Sequence, residues 1–142
     1  MHKLCLPEGR VDRYSHDPKG DTKRRVKTRI VKKPWGFELI YAVTEKYVGK
    51  VLHVNKGESL SLQFHHVKDE TIHIQKGKIR FLTAPNPETK LQEHILEVGM
   101  SFHITPKMVH RMEALEDTDI LEVSTPELDD VVRLEDRYGR NS

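Results

Sequence analysis

Apolar and β-branched residues come in short runs along this chain, separated by clusters of Gly, Pro, Asn and Asp. Phe37 to Val43, Tyr47 to Val54 and Ser59 to His65 read as strands, with Asn55-Lys56-Gly57 turning between the last two. Thr71 to Gln75 and Lys78 to Thr83 flank Lys76-Gly77, which predicts a compact hairpin. Ala84-Pro85-Asn86-Pro87-Glu88 is a loop. Further strands are expected over His94 to Val98, Ser101 to Ile104, Val109 to Ala114 and Asp119 to Ser124. Many short strands with frequent turns, and no solenoid-type repeat, predict an all-β sandwich or barrel. The last segment reads differently. Ser124 and Thr125 can cap a helix, Pro126-Glu127-Leu128-Asp129-Asp130 places acids at its start, and Val131, Val132, Leu134 and Tyr138 are roughly helically spaced. A short C-terminal helix, or an ordered tail packing on the barrel or on a second subunit, is expected there.

At 142 residues with 36% hydrophobic content, one small core is expected. Cys5 is the single cysteine, so there is no internal disulfide framework. No stretch approaches the ~18 consecutive apolar residues of a membrane span. Met1 to Arg10 lack the apolar core of a secretory signal, and cytoplasmic residence is the default expectation. The net charge of +2 hides an asymmetry. Residues 1–33 carry eleven Lys or Arg against four acids, a surplus of seven; residues 34–142 carry thirteen against eighteen, a deficit of five. The expected organisation is a basic N-terminal arm (1–30), a β-barrel domain (31–127) and a C-terminal helix or tail (128–142). The arm reads as a solvated tail or a strap across a neighbouring subunit. Nucleic acid is not expected as a partner, because no helix pattern, zinc-finger spacing or aromatic platform accompanies the charge.

Chemistry concentrates in one block, Gly57-x5-Gln63-x-His65-x4-Glu70-x6-Gly77, followed later by His110. It gathers an amide oxygen, two imidazoles and a carboxylate in a segment that otherwise reads as strands. Gln63 and His65 are two apart, so on a strand they project from the same face. Mixed nitrogen and oxygen donors suit Zn, Ni, Fe or Mn better than Ca or Mg. Each residue also has a plainer use. Gln63 serves equally as an inward-facing amide with its hydrogen bonds satisfied, and Glu70 as a hairpin cap or a partner of Lys68. His66 points to the opposite face from His65 on a regular strand, and His73 and His103 read as strand-surface residues.

The block resembles the first motif of the cupin superfamily, with Gln63 where a first histidine often stands. Gly99 to His110 is similar to the second motif, Gly-x5-Pro-x-Gly-x2-His, but Thr105 stands at the proline position and Lys107 at the glycine position. Lys107 thereby occupies a turn position that glycine fills at little conformational cost. A narrower resemblance is carried by Lys33-Pro34-Trp35-Gly36-Phe37-Glu38, Gly57-Glu58-Ser59-Leu60-Ser61-Leu62-Gln63 and Val109-His110-Arg111. Over residues 31–127 the chain resembles the cupin domain of type II mannose-6-phosphate isomerases and small stand-alone proteins related to it. That resemblance implies a cupin-type jelly-roll β-barrel and one divalent transition metal (Zn, Ni, Fe or Mn) held by Gln63, His65, Glu70 and His110. It also implies interconversion of mannose 6-phosphate and fructose 6-phosphate. Bifunctional members carry a nucleotidyltransferase domain ahead of the cupin; this sequence has no room for one, so sugar-nucleotide synthesis is not expected.

An aldose–ketose isomerase moves hydrogen between C1 and C2, for which a metal serves as Lewis acid and a further group as proton shuttle. Glu113, His53 and His73 are shuttle candidates, and periodicity leaves the base unassigned. A sugar phosphate as small-molecule partner needs cations. Lys50, Arg111 and Arg133 are candidates, each with a surface ion pair as its plainer use; Lys50 and Arg111 are the preferred substrate-binding residues, since Arg133 has Asp129, Asp130 and Asp136 nearby in sequence. Trp35 and Phe37 read as packing. A homodimer is expected, since a small barrel gains from covering its sheet edges. The alternatives are a non-catalytic metal- or carbohydrate-binding cupin and an iron-dependent oxygenase.

Overall fold

A computed structural model describes residues 24–140; most of the basic arm, with Cys5, lies outside the described residues. Eleven strands are present: β1 (Arg29–Lys33), β2 (Gly36–Val43), β3 (Val48–Val54), β4 (Leu62–Phe64), β5 (Glu70–Lys76), β6 (Lys78–Ala84), β7 (Gln92–Glu97), β8 (Ser101–Ile104), β9 (Val109–Ala114), β10 (Thr118–Ser124) and β11 (Val132–Glu135). They form a six-stranded sheet in the order β1-β2-β3-β10-β5-β8 and a five-stranded sheet in the order β11-β4-β9-β6-β7. The named strand pairings are antiparallel. This is a jelly-roll barrel. There is no α-helix among the described residues.

The period of two explains which residues meet inside. On β5, Glu70, Ile72 and Ile74 are buried while Thr71 and His73 are half-buried. On β10, Ile120, Glu122 and Ser124 turn inward and Val123 outward. Both sheets contribute to one core that includes Trp35, Leu52, Ile72, Ile74, Ile79, Phe81 and Ile120. Burying each such side chain contributes about 1.5–3 kcal/mol relative to exposure. The same alternation sets polar residues in the apolar phase: Glu70 shares a face with Ile72, Glu122 with Ile120, and Lys50 with Leu52 and Val54. The interior is therefore apolar at one end and charged at the other.

The expected Lys76-Gly77 hairpin is not formed. β5 pairs with β10 and β8, whereas β6 pairs with β7 and β9 in the other sheet. The chain instead crosses between sheets at Gly77, at φ +86°. A Cβ there would lie 2.5 Å from the Asp117 carbonyl oxygen, so the close approach of the neighbouring backbone also demands glycine. A hairpin and a sheet-to-sheet corner place the same demand on the turn residue, which is why the local signal did not separate them.

The C-terminal segment is not a helix either. It runs as ordered chain into β11, which pairs with β4 and becomes the edge of the five-stranded sheet. The acids read as a helix start are used elsewhere. The Asp130 carboxylate accepts hydrogen bonds from the backbone N–H groups of His66, Val67 and Lys68, at 3.0, 2.8 and 2.9 Å. Pairing the open edge of β4 and satisfying three loop amides outweighs a weak local helix preference.

Candidate metal centre

Strand ends deliver the cluster. His65 follows β4, Glu70 opens β5 and His110 is the second residue of β9. Glu70 Oε1 lies 3.5 Å from His65 Nε2 and 3.3 Å from His110 Nε2. One donor atom from each residue falls within 4.8 Å of the others, and all three residues are buried. The imidazoles are oriented from behind. His65 Nδ1 donates to the Asp130 carbonyl at 2.5 Å, and His110 Nδ1 donates to the Met108 carbonyl at 2.9 Å. A neutral ring that donates through Nδ1 carries its lone pair on Nε2. Both Nε2 atoms are buried without a hydrogen-bond partner. Two lone pairs and a carboxylate aimed at one point repel unless a cation or a shared proton lies between them. The donor set, with each ring held through its far nitrogen, fits a divalent transition metal.

Burial alone would raise the Glu70 carboxyl, but the adjacent His110 and His65 rings and the charge of Lys68 hold it well below the usual carboxylate range. Gln63 lies on β4 directly opposite His110 and lines the same cavity as His65 and Glu70. Its Oε1 accepts a hydrogen bond from the Ser61 hydroxyl at 2.6 Å. Lys107 adopts φ +69°, the conformation that the missing glycine would supply, and its N–H donates to the His65 carbonyl at 2.6 Å. The turn that delivers His110 thus survives the departure from the motif, with a lysine in the left-handed region.

The cavity between the sheets has a volume of about 460 Å³, and a chain of buried ion pairs runs along it. Lys50 Nζ lies 3.4 Å from Glu38 Oε1 and 3.8 Å from Glu122 Oε2. Lys68 Nζ lies 3.4 Å from Glu122 Oε2 and 2.9 Å from Glu70 Oε2. Burial would lower the Lys68 ammonium, but Glu122 and Glu70 outweigh it and push the group above its ordinary value. Glu122 moves the other way: burial and then repulsion from Glu70 raise its carboxyl, against the pull of Lys68 and Lys50. Lys50, Lys68, Glu70 and Glu122 are buried and Glu38 half-buried, and burying such charges carries a desolvation penalty of several kcal/mol per ion. The network therefore points to a site rather than to a device for stability.

Of the substrate-binding residues expected from sequence, Lys50 lines the cavity and Arg111 does not. His110 and Met112 take the inward phase of β9, so Arg111 turns outward. Its Nε donates to the Leu60 carbonyl at 3.2 Å and its Nη1 contacts Glu135 Oε2 at 3.3 Å, tying β9 to β11. Arg133, read from sequence as a surface ion pair, lines the cavity, and its Nε is buried without a hydrogen-bond acceptor. The three shuttle candidates lie elsewhere among the described residues. His53 is stacked on Phe37 and bonded to Asp119 at 2.6 Å. His73 bonds Ser101 at 2.7 Å, and Glu113 pairs with Arg80 at 3.1 Å. His66 is exposed, opposite in phase to His65. Lys68 and Glu122 were missed as cavity residues; a charge in the apolar phase of β10 was the available signal for Glu122.

A jelly roll with this buried His-Glu-His cluster at the charged end of its interior defines a cupin with a potential metal site. More narrowly, the chain belongs to the family described as mannose-6-phosphate isomerase C-terminal, whose model matches residues 19–136. It is 38% identical over 117 residues to the mannose-1-phosphate guanylyltransferase ManC of Salmonella typhimurium, covering 79% of this chain and 23% of that protein. The chain thus spans less than a quarter of that relative's length. The fold is similar to capsular polysaccharide assembling protein CapF from Staphylococcus aureus, with TM-score 0.60, 17% identity, and 79% of this chain and 32% of that one covered. It is also similar to KdgF from Halomonas sp., with TM-score 0.58, 18% identity, and 68% and 84% covered. Oxalate decarboxylase from Bacillus subtilis, in a structure concerned with its Mn(II) centres, matches with TM-score 0.65, 15% identity, and 81% and 32% covered. No helix of the described residues is long and apolar enough to cross a membrane.

Proposed function

We propose that this cupin is a metal-dependent isomerase of sugar phosphates, interconverting mannose 6-phosphate and fructose 6-phosphate, with Gln63, His65, Glu70 and His110 holding the metal. The observation that carries the reading is the convergence of two partnerless Nε2 atoms on the buried Glu70 carboxylate. Membership of a mannose-6-phosphate isomerase family supports the substrate class. A divalent transition metal bound there would supply Lewis acidity toward the C1 and C2 oxygens of an open-chain sugar.

The chain's own residues do the rest. Isomerisation removes hydrogen from C2 and returns it at C1, or the reverse, with no net change in atoms. A proton taken up in one half must be held and given back. Glu122 is the buried carboxyl of the cavity wall that stands outside the ligand set, and we assign it that role in place of His53, His73 and Glu113. Lys68 bridges Glu122 and Glu70, so it fixes the distance between the proton-holding group and the metal ligands. Lys50 holds Glu122 from the opposite side. The paired charges are in place before substrate arrives, which reduces the reorganisation needed as charge develops.

The test is turnover of mannose 6-phosphate by protein loaded separately with Zn, Ni, Fe and Mn, alongside His65→Ala. Metal-dependent formation of fructose 6-phosphate, lost in the variant, is expected. Turnover that survives His65→Ala would reject the site. Retention of metal and sugar phosphate with no turnover under any loading would make the protein a binding cupin.

A further inference from the structure

Arg133, Gln63 and His110 stand directly opposite one another on three neighbouring strands, β11, β4 and β9, and so share one row on the inner face of the five-stranded sheet. Neighbouring strands are about 4.8 Å apart, so the row spans about 10 Å from the His110 strand to the Arg133 strand. Gln63 lies midway. At one end is the metal cluster. At the other is a guanidinium that lines the cavity with its Nε buried and lacking an acceptor.

Arg29 and Lys33 line the cavity from β1, in the other sheet, and three of the remaining cations are already engaged. Arg140, also in the cavity lining, contacts Asp136 through both Nε and Nη2 at 2.9 Å. Lys50 and Lys68 are paired with Glu38, Glu122 and Glu70. Asp129 lines the cavity as well, yet the Arg133 Nε takes no acceptor from it. The charge of Arg133 is felt by Asp136, but a guanidinium that lines the cavity with a buried donor unpaired still calls for an anion, and a planar N–H fork matches the oxygens of a phosphate.

We infer that Arg133 is the receptor for a phosphate ester at the far end of the substrate, and that the row selects polyol phosphates by the distance between the phosphate and the metal-binding oxygens. The inference rests on the proposed isomerase reading for its account of the metal end, and deepens it by naming what the other end binds. An extended six-carbon sugar with its phosphate on C6 reaches from the His110 strand to the Arg133 strand. The same sugar with phosphate on C1 would set that phosphate beside the Glu70 carboxylate at the metal end and leave Arg133 empty. Gln63, beneath the middle of the chain, is placed to contact both its hydroxyls and the metal end.

The experiment uses the full chain, metal-loaded, as wild type, Arg133→Gln and Arg133→Lys. Binding of inorganic phosphate is measured by calorimetry, and steady-state kinetics compare mannose 6-phosphate with unphosphorylated mannose. Arg133→Gln is expected to weaken phosphate binding and raise KM for the phosphosugar on the order of 10–100-fold, the scale of losing hydrogen bonds to a charged group. The metal content should be unchanged, and Arg133→Lys should recover part of the loss. Phosphate affinity equal to wild type in both variants overturns the assignment. Phosphate binding that depends on Arg133 in a wild-type protein without isomerase turnover supports the anion site while rejecting the isomerase reading. If Arg133→Gln does not fold, the Arg133→Lys comparison decides: a raised KM supports the receptor, and an unchanged one overturns it.

Discussion

Two segments build the charged end of the cavity, where the candidate metal cluster lies, in different ways. Residues 63–70 supply donor atoms from side chains, and their spacing along the chain is regular enough to be read directly. Residues 126–140 lie distant in sequence and supply mostly support. The Asp130 carbonyl sets the ring of His65, the Asp130 carboxylate holds the loop between His65 and Glu70, and β11 brings Arg133 opposite Gln63. The first segment determines what the site can bind. The second determines how rigidly it is held and how far the cavity reaches. Ligand chemistry thus sits in a local block, whereas precision comes from a strand added at the far end of the chain.

The sharpest way to break the first segment's role is His65→Ala. Removing one of two imidazoles that share a carboxylate should abolish metal retention, from about one ion per chain to background. Elemental analysis of gel-filtered protein after loading checks this, and full retention would reject the cluster.

The matching test of the second segment is Asp130→Ala, which keeps every donor atom but strips three amides of their acceptor. Metal affinity should fall about 10–100-fold, the usual consequence of losing a group that orients a ligand. Stability should fall by about 0.5–1.5 kcal/mol, since water can replace the acceptor at the exposed His66 and Val67 but less readily at the buried Lys68. Competition with a metal-binding dye and urea unfolding read the two effects separately. A pH series sharpens the comparison. Burial would raise the Asp130 carboxyl, but the amides of Val67, His66 and Lys68 hold it down to about 2. A group depressed on folding stabilises above its unfolded value, near 3.9, and loses that contribution as pH falls toward 2. The metal-free wild type should therefore lose its advantage over Asp130→Ala between about pH 4 and pH 2. A gap constant across that range would reject the carboxylate's role.

The smallest effect is expected at Lys107. Its left-handed backbone costs about 1–2 kcal/mol in a non-glycine residue. Part of that returns as the greater entropy of an unfolded glycine, so Lys107→Gly should stabilise by about 0.5–1 kcal/mol. Urea midpoints check the sign, and destabilisation would mean that the lysine side chain contributes more than its backbone costs.

Particular residues show how much was legible. Strand positions from Phe37 to Ser124 followed from alternation, because the period of two is a property of the strand itself. His65 and His66 were assigned to opposite faces on that ground, and one is buried and the other exposed. The same period turns Arg111 away from His110, against its expected role in substrate binding. Gly77 marks the limit. Its positive φ was readable, but whether it closed a hairpin or turned a corner depended on the strands available to β5 and β6. Arg133 marks it again: three nearby acids suggested a surface pair, and only the pairing of β11 with β4 carried it into the cavity.

The sequence by itself determined the strands between Phe37 and Ser124, their inward faces and the donor types of the candidate site, because these rest on neighbours within a few residues and on the chemistry of single side chains. Tertiary structure alone decided which sheet each strand joined, that the C-terminal segment became a strand, and that Lys68, Glu122 and Arg133 share a cavity with His65 and Glu70. Those outcomes depend on which unpaired edges and buried charges from remote parts of the chain find partners. That competition is settled by the free energy of the whole barrel, and no local pattern records it.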